Sequence, residues 1–219
     1  MSRIPTAEPK PKAAKRPKPD KGDVPGVTRP MTYEEYLASP EEMARYDILD
    51  GWKVYRLYGE QQLPNPTRRH QRIQGKLYVS LRRYEQQTER GQVIQPPCDV
   101  RITRRPLRNR QPDLLFISTE RLAQNPPLDD PAPLSPAPEL VVEIVSPSDR
   151  PAVLAAKIAD YRGVNVREVW VVRVEAQTVE VVRLTLDEIE TVATYGRGQT
   201  AVSLAFLDLR IPVDEIFAE

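Results

Sequence analysis

An α/β domain built on a mixed β-sheet flanked by helices, preceded by a disordered N-terminal tail, is the fold class this sequence predicts. Three stretches predict it. Gln111-Pro112-Asp113-Leu114-Leu115-Phe116-Ile117 and Glu139-Leu140-Val141-Val142-Glu143-Ile144-Val145-Ser146-Pro147 are apolar runs bounded by proline and rich in Val, Ile and Leu, the pattern of buried strands. Ala156-Lys157-Ile158-Ala159-Asp160-Tyr161 follows on a helical pattern. A carboxylate opens the first run and a second sits in the middle of the next. Ionised groups are rarely taken out of water unless paired or bound to a cation, so Asp113 and Glu143 together point to a shared divalent metal. A structural ion pair, or polar residues at strand ends, is the competing explanation.

The tail is compositional. Residues 1–30 hold seven prolines and eight Lys or Arg against three acids, with scarcely any large apolar side chain, so they cannot bury enough surface to offset the entropy of ordering. Subtracting this segment's +5 from the whole-chain +1 leaves residues 31–219 near −4. Attraction to a polyanion must therefore come from local patches. A single cysteine, Cys98, excludes an internal disulfide framework and a cysteine-built zinc site, and fits a reducing compartment. No run approaches the roughly 20 apolar residues of a membrane span, and no secretory signal opens the chain. The expectation is a soluble, cytoplasmic protein.

The domain begins at Met31. Thr32 to Ala44 shows weak helical spacing, and Asp47 to Tyr55 forms two short strands around Asp50-Gly51, the strongest hairpin signal present. Thr67 caps a helix running to about Gln87, with Gly91 a few residues past its end. At 100 degrees per residue, His70, Ile73, Leu77, Leu81 and Tyr84 share an apolar arc. Arg69, Arg72, Lys76 and Arg83 cluster on the adjoining arc, a candidate nucleic-acid face or simply a solvated one. Strands follow near Gln92 to Gln95 and Asp99 to Thr103, separated by Pro96-Pro97, and a basic stretch from Arg101 to Arg110 leads into the Asp113 strand. Six prolines between Asn125 and Pro138 mark a long loop without a regular element. Pro151 starts the next helix and Gly163 ends it, with Leu154, Ile158 and Tyr161 on one face and Lys157 at its edge, toward the sheet. Val166 to Val174 and Thr178 to Leu186 pair as a hairpin. Weaker strands at Glu190 to Tyr195 and Ala201 to Leu207, and a turn at Asp214 to Phe217, complete the sheet.

Several of these segments together resemble a known family. Pro66-Thr67-Arg68-Arg69-His70-Gln71-Arg72-Ile73, Gln111-Pro112-Asp113, Val142-Glu143-Ile144-Val145-Ser146-Pro147-Ser148, Lys157 with Tyr161-Arg162-Gly163-Val164, and Val169-Trp170-Val171-Val172 are similar to the Uma-two family of restriction endonucleases, within the PD-(D/E)XK nuclease superfamily. The similarity runs from about Met31 to Phe217. It implies a restriction-endonuclease-like fold over residues 31–219 and metal-dependent hydrolysis of phosphodiester bonds in DNA. Asp113 matches the first acid of the superfamily motif and Glu143 the second. The position two after Glu143, where many relatives carry lysine, is Val145, and the family's lysine on the following helix corresponds to Lys157. Asp47 stands where glutamate is common, and Arg173 where an aspartate commonly follows the tryptophan strand.

The resemblance assigns roles. Asp113 and Glu143 would hold magnesium, or manganese in its place, with the carbonyl of Ile144 as an additional ligand. Lys157 would orient the attacking water or stabilise developing charge, and Asp47 would recruit or orient a second cation. His70 would contact phosphate or brace an acid. The expected partners are DNA and, in a homodimer, a second copy of the chain. Two other readings remain open: a descendant that binds DNA without cutting, and a scaffold that keeps the fold for protein interaction.

Overall fold

A capping box opens the first helix, α1 (Tyr33–Leu37): the Glu35 amide donates to the Thr32 hydroxyl while the Thr32 amide donates to the Glu35 carboxylate. This is the start of a computed structural model that describes residues 29–40, 46–55, 67–127, 130–146 and 149–218. The tail expected over residues 1–30 therefore falls outside the described residues, apart from Arg29 and Pro30. Helix α1 spans only five residues of the stretch expected to be helical from Thr32 to Ala44, and residues 41–45 are not described. Strands β1 (Tyr46–Leu49) and β2 (Trp52–Tyr55) pair antiparallel. Their turn puts Asp50 at φ 52° and Gly51 at φ 84°, the two successive positive angles of a tight hairpin. A Cβ on Gly51 would also stand 2.6 Å from the Pro30 Cβ, so glycine is required twice over.

Helix α2 (Arg68–Thr88) begins where Thr67 accepts a hydrogen bond from the His70 amide, and it stops at Glu89, whose left-handed φ of 54° closes the last turn. His70, Ile73, Leu77, Leu81 and Tyr84 are its buried residues, the same arc that the sequence periodicity predicts. Next come β3 (Gly91–Ile94), β4 (Val100–Arg104), β5 (Leu107–Arg110), β6 (Leu114–Ser118), the short helix α3 (Thr119–Leu122) and β7 (Leu140–Val145). Helix α4 (Pro151–Gly163) carries proline in its first turn. Strands β8 (Glu168–Arg173), β9 (Thr178–Leu184), β10 (Ile189–Tyr195), β11 (Thr200–Val202) and β12 (Arg210–Pro212), then helix α5 (Val213–Phe217), finish the chain.

The central sheet has six strands in the order β10-β9-β8-β7-β6-β3. It is mixed because β7 and β8 pair parallel, with α4 as their crossover, while its other pairs are antiparallel. A separate four-stranded sheet, β2-β1-β5-β4, and the ribbon β11-β12 stand beside it. The expected central mixed sheet is present, with four of the strands set apart from it. The stretch Arg101 to Arg110 is the β4–β5 hairpin, which carries β1 and β2 into a second sheet instead of serving only as a lead into β6. The strand expected at Ala201 to Leu207 ends at Val202, after which the chain returns as β12, and the terminal turn is the helical α5.

Alternation along the strands divides the core. Leu114, Phe116, Leu140, Val142, Trp170 and Val172 pack with Ile73, Leu77, Leu81 and Tyr84 of α2. Leu115, Ile117, Val141, Val169 and Val171 pack on the opposite face with Ile158 and Tyr161 of α4. Each fully buried side chain of this size contributes roughly 1.5–3 kcal/mol relative to exposure. The two layers therefore hold α2 and α4 on opposite faces of the sheet, and the strands that bring in the acids lie between them.

Candidate functional site

Strands β6 and β7 pair with Leu114 opposite Val142 and Leu115 opposite Val141. Extending that register by one residue sets Asp113 across from Glu143, and the Asp113 amide donates to the Val142 carbonyl at 3.2 Å. Residues directly opposite on an antiparallel pair project to the same face, and like charges there repel. Both acids are also buried, at 1% and 4% exposure. Two carboxylates held this way need positive or hydrogen-bonding partners. Asp113 Oδ2 accepts from the Ile144 amide at 2.7 Å, the residue next to Glu143.

Helix α4 brings the cation. The Lys157 Nζ donates to both oxygens of Glu143, at 3.0 Å to Oε1 and 2.7 Å to Oε2, and is itself buried. Tyr161, one turn later and fully buried, donates its hydroxyl to Glu143 Oε1 at 2.6 Å. Burial, and then the neighbouring Glu143 and Asp47 charges, push the Tyr161 phenol well above its ordinary range, so it stays a donor. Helix α2 reaches the site from the other side. Gln74 Nε2 donates to the Asp113 carbonyl at 3.1 Å, and His70 Nε2 stands 3.5 Å from Asp113 Oδ2. The other ring nitrogen of His70, Nδ1, is buried and has no hydrogen-bond partner among the described residues.

Asp47 lies beside this group, held from β5. Its Oδ1 accepts from the Gln111 amide at 3.0 Å and its Oδ2 from Arg110 Nη1 at 2.9 Å. Arg110 continues to Asp160 of α4, with Nε at 2.7 Å and Nη2 at 2.6 Å from Oδ2. Arg108 joins the same Asp160 to Asp50. Gln111 also accepts from the Tyr46 amide through its side chain. Behind it Asp99 accepts from Tyr36 and Asn109, and burial raises the Asp99 carboxyl above its ordinary range.

The structure thus brings Asp113, Glu143, Lys157, Asp47 and His70 into one region and leaves the basic arc of α2 on the outside. Of that arc, Arg69 and Arg72 are exposed, Lys76 donates to the Ala218 carbonyl, and Arg83 stands 3.7 Å from Glu215 of α5. Arg173 pairs with Glu180 on β9. Three residues of the site are not evident from sequence reasoning. Tyr161 reads there as packing, although its spacing of four from Lys157 puts both on one helix face. Arg110 and Asp160 give no signal, because a basic stretch reads as solvated until a partner in another element appears.

Among the described residues, no group of three or more His, Cys, Asp or Glu side chains is arranged to hold a metal ion. The pair of opposed carboxylates still fits magnesium, a hard cation that is commonly bound through one or two carboxylates and keeps several waters. The metal assignment rests on that donor chemistry.

Comparison with known proteins gives a consistent result. No curated protein matches the chain. A crystal structure from Anabaena variabilis, described as "a putative nuclease belonging to DUF820", superimposes with a TM-score of 0.64 at 17% identity, covering 86% of this chain and 98% of that one. At such identity the likeness establishes the fold. A family model described as "Putative restriction endonuclease" matches residues 33–214, which span every element from α1 into α5. By that match the chain belongs to the Uma2 family of nucleases.

Proposed function

We propose that this protein is a divalent-metal-dependent endonuclease that hydrolyses phosphodiester bonds in DNA. The observation that carries the reading is the buried opposition of Asp113 and Glu143 with an ammonium, Lys157, on Glu143. Asp113, Glu143 and the carbonyl of Ile144 would hold magnesium, with manganese as a substitute. Such a cation, when bound, neutralises phosphoryl charge and activates water.

The side chains divide the remaining work. Lys157 orients the attacking water or stabilises charge developing on the phosphoryl oxygens, in a site where buried charges act strongly. Tyr161 keeps the Glu143 carboxylate in one rotamer through a 2.6 Å hydrogen bond. His70 braces Asp113 from α2, and Asp47, fixed by Arg110 and the Gln111 amide, contributes negative charge at the rim of the site. Arg69 and Arg72, with Lys76 and Arg83 further along α2, offer the phosphate backbone a basic face. Among the described residues no helix is long and apolar enough to cross a membrane. A cytoplasmic location and a homodimer belong to the same proposal.

The test is cleavage of supercoiled and linear DNA with and without magnesium or manganese, using the purified chain and its Asp113→Asn and Glu143→Ala variants. Divalent-dependent cleavage abolished in both folded variants is the expected result. Equal cleavage in either variant, or cleavage unaffected by chelator, would overturn the assignment.

A further inference from the structure

Helix α4 carries Lys157 and Tyr161, the two side chains that engage Glu143, so its seat on the sheet decides where the ammonium lies. Apart from those bonds to Glu143, little in the helix itself fixes that seat. Arg150 supplies no side-chain cap at the N-terminus, and the packing beneath it, through Ile158 and the Tyr161 ring into a layer of Val and Leu, is apolar. Apolar contact is non-directional. A helix rises 1.5 Å per residue, so a slip of less than one residue would carry Lys157 off Glu143.

A directional constraint comes from β5. Asp160 lies three residues after Lys157, about one turn, and therefore on a neighbouring part of the same helix side. Its Oδ2 receives Nε and Nη2 of Arg110 at 2.7 and 2.6 Å, while Nη1 of the same guanidinium holds Asp47 Oδ2 at 2.9 Å. Arg110 is 3% exposed, so solvent screens these contacts little. The planar fork fixes angle as well as distance. One side chain thereby ties β1, β5 and α4 together.

We propose that Arg110 is a positioning residue: through Asp160 it sets the seat of α4, and hence the place where Lys157 meets Glu143, and through Nη1 it aligns Asp47 with the same centre. This deepens the nuclease reading and rests on it for its kinetic consequences, although the placement of Lys157 can be measured without turnover. Arg108, joined to Asp160 and Asp50, reinforces the same anchor from the hairpin turn.

Asp160→Asn is the informative change. An asparagine keeps one acceptor oxygen but turns an amide donor toward a guanidinium donor, which loosens the tether while leaving Arg110 on Asp47. The full chain should melt within about 4 °C of the parent. Manganese affinity should be unchanged, since β6 and β7 carry the ligands. Turnover should fall about tenfold or more at unchanged KM, as expected when a reacting group is misplaced by a fraction of an ångström to an ångström. In a Lys157→Ala background the same change should have no further effect on turnover, because the residue through which Asp160 acts is gone. Mass-spectrometric measurement of Lys157 acetylation by acetic anhydride under native conditions should show a severalfold rise in Asp160→Asn. Arg110→Lys, which keeps a charge near Asp47 but cannot fork, should likewise raise Lys157 labelling.

Additive losses of turnover in the two backgrounds, or unchanged Lys157 labelling, would overturn the positioning role. So would loss of the fold in both variants, which would make the tether a requirement of folding. If the parent shows no cleavage while Lys157 labelling rises in Asp160→Asn, the nuclease reading fails and the positioning of Lys157 stands.

Discussion

Replacing Lys157 by methionine keeps the length and the apolar stem of the side chain and deletes its charge. In the parent, the ammonium contacts both oxygens of Glu143 at 3.0 and 2.7 Å, with side-chain exposures of 6% and 5%. Removing one member of a buried pair typically costs about 3–5 kcal/mol, whereas removing both charges together is often close to neutral. Glu143 still accepts from Tyr161 after the change, which places the expected cost of Lys157→Met near the lower end, about 3 kcal/mol. Glu143→Gln alone strands the ammonium and should cost a similar amount. The double variant should lie within about 1 kcal/mol of the parent, so the pair should show a coupling energy of several kcal/mol.

Urea unfolding at neutral pH with chelator present measures all four corners of the cycle. Manganese adds a second dimension. A cation that binds only the folded state stabilises it by about 2.7 kcal/mol at a hundred times its Kd. In Lys157→Met it would also compensate the charge of Glu143, so metal should recover most of what that variant loses. It should do less for the parent, whose Glu143 oxygens already receive the ammonium. Lys157→Met within about 0.5 kcal/mol of the parent without metal, or additive costs in the double variant, would refute the reasoning.

Three further outcomes follow from other parts of the structure. Tyr161→Phe deletes only the hydroxyl that donates to Glu143, and should lower stability by about 1–3 kcal/mol in urea unfolding, the cost of stripping a buried charged acceptor of a donor. The Asp99 carboxyl is raised by burial, so its contribution is fully present below the unfolded carboxylate value of about 3.9 and is lost as pH rises through the higher folded value. The difference in unfolding free energy between Asp99→Asn and the parent should therefore grow in the variant's favour from acidic to neutral pH; a difference independent of pH would refute it. Neutralising Arg69 and Arg72 should flatten the salt dependence of DNA binding by roughly one unit of slope for each phosphate left without its cation. Lys76 and Arg83, engaged by the C-terminal segment, should contribute less in a parallel titration.

Much of the fold is legible in the sequence because its signals are local. The buried arc of α2, the Asp50-Gly51 turn, the β7–α4–β8 unit with Pro151 and Gly163 at its helix ends, and the β8–β9 hairpin all follow from periodicity, turn residues and caps within a few positions of one another. The placement of Asp113, Glu143 and Lys157 is legible for a similar reason: a carboxylate inside an apolar run demands a partner, and Lys157 lies on the sheet-facing edge of the next helix. Tertiary structure decided what depends on pairing across distant segments. The Arg101 to Arg110 stretch reads only as a basic run leading into the Asp113 strand, yet Arg110 is buried because Asp47 and Asp160, 63 and 50 residues away, converge on it. Sheet division followed from the same cause, since β5 pairs with β1 and β4 and leaves β6 to the central sheet. Residue identities along the chain determine which groups cannot be buried alone; only the folded chain determines which distant group answers each of them, because that choice is made by registers and helix seats that no local pattern encodes.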